Sequence, residues 1–413
     1  MTDLLPRMRG DVDVMPSPLA EQPGLLLRDP FLYTDHILVI PPEWVVVLQC
    51  LDGAHSVLDA QAILTRLAGG QIVAREEVEQ FVSVLTEAGY IEGEELDELK
   101  ARRHEEFRLA PIREATHAGS AYPAERDDID TLFSKRIAKA QDSEAPWPIA
   151  LAAPHVSPEG GFASYRAAYE LPPVAEETTF VVLGTSHYGA PERFGTSVKP
   201  FRTPLGTAEV DRKALAEFVS LTAGTGGAGG AVVEEDYCHR AEHSIELQVL
   251  FLQYQLARPF KIVPILCGPF VESLKTGKPP ESIDGNRRVF DALAELHAKR
   301  NNLVWVLGVD MAHIGTRYGD REAARAGEGV MEEVSEKDRR RLERVCEGDA
   351  EGFFDLVHPG GDELNWCGYS PIYTFLRSVG AAVKLKGEVR SYQQWNIDDA
   401  SVVTFGAVHF FRR

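Results

Sequence analysis

Three histidines occupy the same kind of place in this sequence, just beyond an apolar run. His155 follows Ile149–Pro154, His187 follows Phe180–Ser186, and His313 follows Leu303–Gly308 across a turn that contains Asp310. An imidazole is a metal donor and also a base that titrates near neutrality, so three brought together could hold an ion or move a proton. One such histidine is ordinarily a hydrogen-bonded structural residue. Three at equivalent positions, beside small residues that permit close backbone approach, point to chemistry. His243 joins them, opening a helical stretch with Glu246 three residues on and on the same face. Cys367, between Trp366 and Gly368 at a helix start, could be a thiolate ligand or a nucleophile, because a helix N-terminus lowers a thiol pKa. Asp310 and His313 suit a supporting carboxylate and an acid–base pair. Cys50, Cys267 and Cys346 fall on ordinary buried or helical stretches and read as structural, while Cys238 carries no assignment.

A sheet must position these side chains. The three apolar runs are β-branched and do not alternate, as strands covered on both faces do, which predicts an α/β fold with a largely parallel or mixed central sheet flanked by helices. Ligands of such sheets bind beyond the carboxyl ends of the strands, so adjacent strands would deliver their histidines to one crevice. Ile262–Leu266, Val383–Glu388 and Ser401–Phe411 supply further strands. Helices are expected around Ile129–Phe133, after Ser157–Gly161, over Lys213–Leu221, over Phe290–Leu296 and from Asn365–Pro371 onward. An amphipathic helix should run from Glu242 through Leu252, and a charged surface helix over Met331–Val345. Phe201–Gly206 reads as a loop, and Gly224–Gly230 as a surface loop lacking the Lys-Ser/Thr of a phosphate cradle. This alternation makes residues 110–413 one large domain.

The chain before it divides into an extended arm, residues 1–25, a small domain, residues 26–93, and a charged linker, residues 94–109. In the small domain Ile37–Ile40 reads as a strand, Ser56 as a helix cap, and Val78, Phe81, Val82 and Leu85 as one helical face. Gly89-Tyr90-Ile91 should then turn into a strand, the helices-then-wing order of a winged helix.

A net charge of -20, with 43 Lys plus Arg against 63 Asp plus Glu, argues against nucleic acid as the ligand. No apolar run is long enough to span a bilayer, and Met1–Met15 does not look like a signal peptide. Five cysteines, odd in number and without a C-x-x-C pair, fit a reducing cytoplasm.

Pro154-His155, Leu183–His187, Phe201–Gly206 with Asp211, Glu242–Glu246, Asp310–His313 and Cys367–Ile372 stand in the order found in the Memo family, also called AmmeMemoRadiSam system protein B. The match spans roughly Ala118 to Phe411. That family resembles class III extradiol dioxygenases, non-haem iron enzymes on an α/β sheet. By this resemblance His155 and His187 take the metal-histidine positions, Cys367 that of the pocket cysteine and His313 that of a further pocket histidine, with His243 in the helix motif. The sequence departs from the pattern at Val156-Ser157-Pro158, where Ala-Gly-Tyr is usual, and at Ala121, where Trp is usual. Two histidines and a carboxylate suit iron(II), whereas a cysteine in the third place is softer and favours copper(I) or zinc. Glu246 or Asp310 could restore the carboxylate, and a redox role makes copper or iron the expected ion, ahead of zinc. The resemblance implies a metal-dependent oxidoreductase. Its rivals are a protein that holds a peptide or phosphopeptide without turnover, and a maturation partner of a radical-SAM enzyme. Leu51–Ser56 and Val78–Ile91 resemble a PqqD-like domain, which implies a leader peptide as partner of the small domain; the larger crevice would take a small molecule or a peptide.

Overall fold

Runs of β-branched residues that lack a polar face must be covered on both sides, and here they lie side by side. The protein, a computed structural model, is described over residues 4–19, 21–137, 147–172, 174–175, 177–222, 230–256 and 258–413. It splits into two compact units, Met1–Ala110 and Pro111–Arg413.

In the first unit, strands β1 (Asp13–Pro16), β2 (Leu25–Arg28) and β3 (Leu38–Ile40) form an antiparallel sheet. Helices α1 (Val45–Cys50), α2 (Val57–Leu67), α3 (Arg75–Glu87) and α4 (Glu94–Leu109) follow. Leu27, Val47, Ala60, Val78, Leu85 and Tyr90 make its core. Ser56 caps α2 as expected: its hydroxyl accepts the Asp59 N–H while Asp59 accepts the Ser56 N–H. Three expectations fail here. The segment 1–25 is not a free arm, because β1 pairs with β2, Leu5 is buried, and buried Arg9 meets Asp29 at 3.0 Å. The segment 94–109 is not a linker but α4, whose Leu96 and Phe107 are buried among otherwise charged residues. The strands precede the helices, and Ile91 makes only a bridge to Met8 rather than a wing.

The second unit begins with α5 (Arg126–Ser134), β4 (Ala150–Ala153), α6 (Pro158–Tyr169), β5 (Thr179–Thr185) and β6 (Phe194–Thr196). The segment 201–206, expected as a loop, is instead part of a hairpin of β7 (Phe201–Thr203) and β8 (Gly206–Val210). The chain continues through α7 (Arg212–Leu221), β9 (Val232–Glu234), α8 (Cys238–Ala241), α9 (Ser244–Leu256), β10 (Lys261–Cys267), α10 (Val271–Thr276) and α11 (Asp284–Lys299). It closes with β11 (Leu303–Gly308), β12 (His313–Gly315), α12 (Val330–Glu347), α13 (Ala350–Val357), α14 (Tyr369–Phe375), β13 (Leu385–Asp398) and β14 (Ser401–Arg412). Most of the glycine-rich stretch, 224–229, lies outside the described residues.

The sheet is mixed. Its path is β12-β14-β4-β11-β5-β10-β6-β9, with β13 on β14 and β8 on β10. The central run β4-β11-β5-β10 is parallel, while β14 lies antiparallel to β4. Helices α6, α9 and α14 pack against these strands. Helix α9 was expected to be amphipathic, yet every residue from Ser244 to Leu252 is buried. Helix α12 does show the charged surface expected of it, but also buries Val334, Leu342, Asp338 and Arg341.

Gly308 and Gly184 face one another in register on β11 and β5, and α9 begins over them. A Cβ on Gly308 would lie 2.3 Å from the Ser244 carbonyl oxygen, a backbone atom that cannot step aside. Gly308→Ala should therefore cost roughly 1–3 kcal/mol in denaturant unfolding, as overpacking does. Gly10→Ala, with nothing within 4 Å, should be near neutral. Equal stability of the two variants would show that α9 is not seated on the sheet in this way.

Candidate metal centre

The three strands that lead to histidines are neighbours, in the order β4-β11-β5. His155 and His187 stand just beyond β4 and β5, and β11 leads through Asp310 to His313.

His155 is buried, with Nδ1 3.0 Å from the Gly308 carbonyl. A carbonyl only accepts, so Nδ1 carries the proton and Nε2 keeps the lone pair. That Nε2 faces Cys367 Sγ at 3.3 Å and Asp310 Oδ2 at 3.4 Å. Burial, reinforced by neighbouring His187, pushes the His155 pKa down to about 3. The ring is a neutral donor.

His187 points Nδ1 at both oxygens of Glu242, at 3.0 and 3.2 Å. Glu242 is buried, and it also accepts the backbone N–H groups of His187 (2.8 Å), His243 (2.9 Å) and Ser244 (3.1 Å). Burial opposes charge on both partners, but their mutual attraction wins. His187 is held well above the usual imidazole range and Glu242 well below the usual carboxylate range. His187 also hydrogen-bonds Cys367. Burial raises the Cys367 thiol pKa, against the opposing pull of that hydrogen bond.

His243 stacks on His187, with ring centroids 4.9 Å apart and planes at 12°, and stands edge-on to His155 at 5.2 Å. Its Nδ1 lies 3.2 Å from Glu242 Oε1, and burial holds its pKa well below the ordinary value. The donor atoms of His155, His187 and His243 all fall within 4.8 Å of one another. Two donors on one ion, each at about 2.0–2.3 Å, are at most about 4.6 Å apart. The Cys367–His155 spacing lies inside that limit, and the imidazole group lies inside it or a few tenths of an ångström beyond. The donor set fits a transition-metal ion.

Asp310 Oδ1 accepts the His155 backbone N–H at 2.9 Å, and burial lifts the Asp310 pKa to about 6. His313 keeps Nδ1 on the Met311 and Asn365 carbonyls, at 3.0 and 3.2 Å, and is half-buried. Both therefore stand beside the cluster with groups able to exchange protons.

Glu246 is placed otherwise. Its oxygens take Arg113, the Tyr122 hydroxyl and the N–H groups of Thr116 (3.1 Å) and His117 (3.0 Å). It anchors the 113–122 segment and has no oxygen left for an ion. That segment sets His117 edge-on to His243 at 5.5 Å, its Nε2 held by the Ala241 carbonyl. Sequence reasoning gave no role to Glu242, Arg113 or His117. For Glu242 a signal existed, an acid directly before a helix-opening histidine, but such acids usually face solvent.

The Cys367 loop is held from behind. The Trp366 indole N–H donates to buried Asp338 at 2.7 Å, and the Trp366 backbone N–H donates to Asp362, which pairs with buried Arg341 at 2.8 Å. Asp338 also accepts from Thr404, whose hydroxyl takes the Ala312 N–H at 2.8 Å. One carboxylate on α12 thus braces both the Cys367 turn and the Asp310–His313 turn.

The sequence is similar to that of known proteins. The sequence pattern described as Memo-like protein matches residues 113–409. A MEMO1 family protein of Aquifex aeolicus is 24% identical over 373 residues, covering 90% of this chain and 91% of its own. One from Nitrosopumilus maritimus is 23% identical over 315 residues, covering 72% of this chain and 99% of its own. One from Thermococcus kodakarensis is 27% identical over 295 residues, covering 68% and 92%.

Two substitutions separate anchoring from ligation. Glu246→Gln leaves buried Arg113 unpaired and should cost about 3–5 kcal/mol, while metal uptake at a temperature where the variant is folded stays at the parent level. Because the folded-state pKa of Glu246 is lowered, chiefly by Arg113 against the penalty of burial, its contribution is full above the unfolded carboxylate pKa. It should fade as pH falls through the lower folded value. Glu242→Gln should instead weaken metal affinity about 10–100-fold, as loss of an orienting partner does. Metal loss in Glu246→Gln would make Glu246 a ligand after all.

Proposed function

The chain belongs to the Memo-like family, and we propose that it is a metal-binding redox protein whose ion, iron or copper, is held by His155, His187 and Cys367 with His243 alongside. The supporting observation is the commitment of the Nδ1 atoms. Those of His155, His187 and His313 face oxygen acceptors at 3.0 Å, and that of His243 lies 3.2 Å from Glu242. Metal-binding histidines are held in this manner, the outer nitrogen fixed so that the inner lone pair is aimed. Structural histidines have no need of a shared focus.

When bound, the ion would supply Lewis acidity and, if iron or copper, one-electron exchange; zinc would accept the same donors without the second property. The remaining work belongs to the chain. Glu242 orients His187 and His243, Asp338 steadies the Cys367 turn, and Asp310 and His313 hold or move protons at a small molecule beside the cluster.

Metal analysis of freshly purified protein should find about one iron or copper per chain, and His155→Ala should lose it whichever metal is offered. Cys367→Ser should weaken copper(I) selectively, since hydroxyl replaces a soft thiolate. Chelation should lower Tm only by the modest linkage term of a bound ligand, because the large core does not need the ion to fold. If parent protein stripped and re-exposed to iron(II), copper(I) and zinc takes up none of them, the reading fails.

A further inference from the structure

Behind the donors runs a small apolar cluster separate from the main core. Val156, next to His155, packs with Val403 and Phe405, and Tyr318, Trp395 and Ile397 lean on them half-buried or less. Tyr318 belongs also to the metal crevice. Its ring stands edge-on to His313, centroids 4.9 Å apart and planes at 87°, and its phenol is within electrostatic reach of Asp310 and Cys367.

The turn that carries Tyr318 is fixed. Gly315 and Gly319, with φ of 116° and 91°, bracket it in backbone that side-chain-bearing residues avoid. The Arg317 N–H is held by Ser401 at 3.1 Å, and the Gly315 N–H by Asp320 at 2.7 Å. A phenol so firmly placed would be expected to spend its hydroxyl on a neighbour, as nearby tyrosines do. Tyr165 donates to the Val156 carbonyl at 2.8 Å, Tyr169 to Gln248 at 2.6 Å and Tyr392 to Asp338 at 2.8 Å. Among the described residues, the Tyr318 hydroxyl makes no hydrogen bond. Rigid placement at the mouth of a donor cluster, with an unspent hydroxyl, is how a site presents a contact to something not part of the chain.

We propose that Tyr318 is a ligand-contacting residue of this site, its hydroxyl donating a hydrogen bond to an acceptor atom of a small molecule bound at the histidine–cysteine cluster. The class of ligand follows from the two surfaces that meet there. One end carries an oxygen or nitrogen acceptor, toward the donors and the phenol; the other is apolar, against Val156 and Trp395. The inference rests on the metal reading above.

The test uses the full chain loaded with cobalt(II), whose visible and thiolate charge-transfer bands report the site, and azide as the small acceptor probe. Tyr318→Phe keeps the ring on His313 and removes only the hydroxyl. Cobalt affinity and Tm should match the parent, while azide should bind about 3–10-fold more weakly, the range one hydrogen bond supplies. Tyr318→Leu, which also removes the ring, should weaken azide at least as much. Equal azide affinity in cobalt-loaded parent and Tyr318→Phe would overturn the role of Tyr318 and leave the metal reading standing. A parent that binds no cobalt would overturn both.

Discussion

Three imidazoles can be packed ring against ring in fixed orientations only if each has an acceptor near its outer nitrogen, and Glu242 is that acceptor for two of them. Burying a carboxylate is costly unless its lone pairs are occupied. Here they are taken by the His187 ring and by three backbone N–H groups, two of them at the start of α9. The helix terminus favours the negative charge and the charge fixes the rings. Without Glu242 the stacked pair His187–His243 would leave two ring nitrogens without their shared acceptor.

That carboxylate dictates where α9 must begin, and the sheet complies. Gly184 and Gly308 leave room for Ser244, whose hydroxyl donates to the Thr185 carbonyl at 2.7 Å. The Gly308 carbonyl is in turn the acceptor for the His155 Nδ1. On the other side of the crevice Asp338 does the corresponding task for Cys367 and the Asp310–His313 turn. Two buried acids outside the donor set, Glu242 just before α9 and Asp338 on α12, therefore locate nearly every group within it.

The strand-end histidines were legible in the sequence because apolar continuity and turn residues are local signals. So were the α/β class and the Ser56 cap, which rests on a four-residue motif. What escaped was set by distant partners. The composition of α4 is that of an exposed linker, yet it buries Leu96 and Phe107, and its Arg103 donates to the Tyr33 carbonyl at 2.9 Å and pairs with Asp35. Residues 244–256 include Glu246 and three glutamines and so look two-faced, but Glu246 is neutralised by Arg113 from far away in the chain, and Gln248 by Tyr169 and the Pro154 carbonyl. No window of sequence contains those pairings. Glu246 looked like a candidate ligand for the same reason: its type was visible and its partners were not.

Charge balance bears on which ion suits the centre. Without metal, pairing with Glu242 favours a proton on His187, and burial favours the thiol form of Cys367. Ligation by both requires both protons to leave. A divalent ion that displaces two protons leaves the charge of this buried region unchanged. Copper(I) does so only if one proton stays, for instance on Asp310, whose pKa near 6 lets it take one up at little cost. Asp310 lies 3.4 Å from His155 Nε2, close enough to hold a proton beside the donors. In the proposed centre, a carboxylate able to bind a proton or release it, next to imidazoles and a thiol, would let Asp310 compensate the charge of either ion.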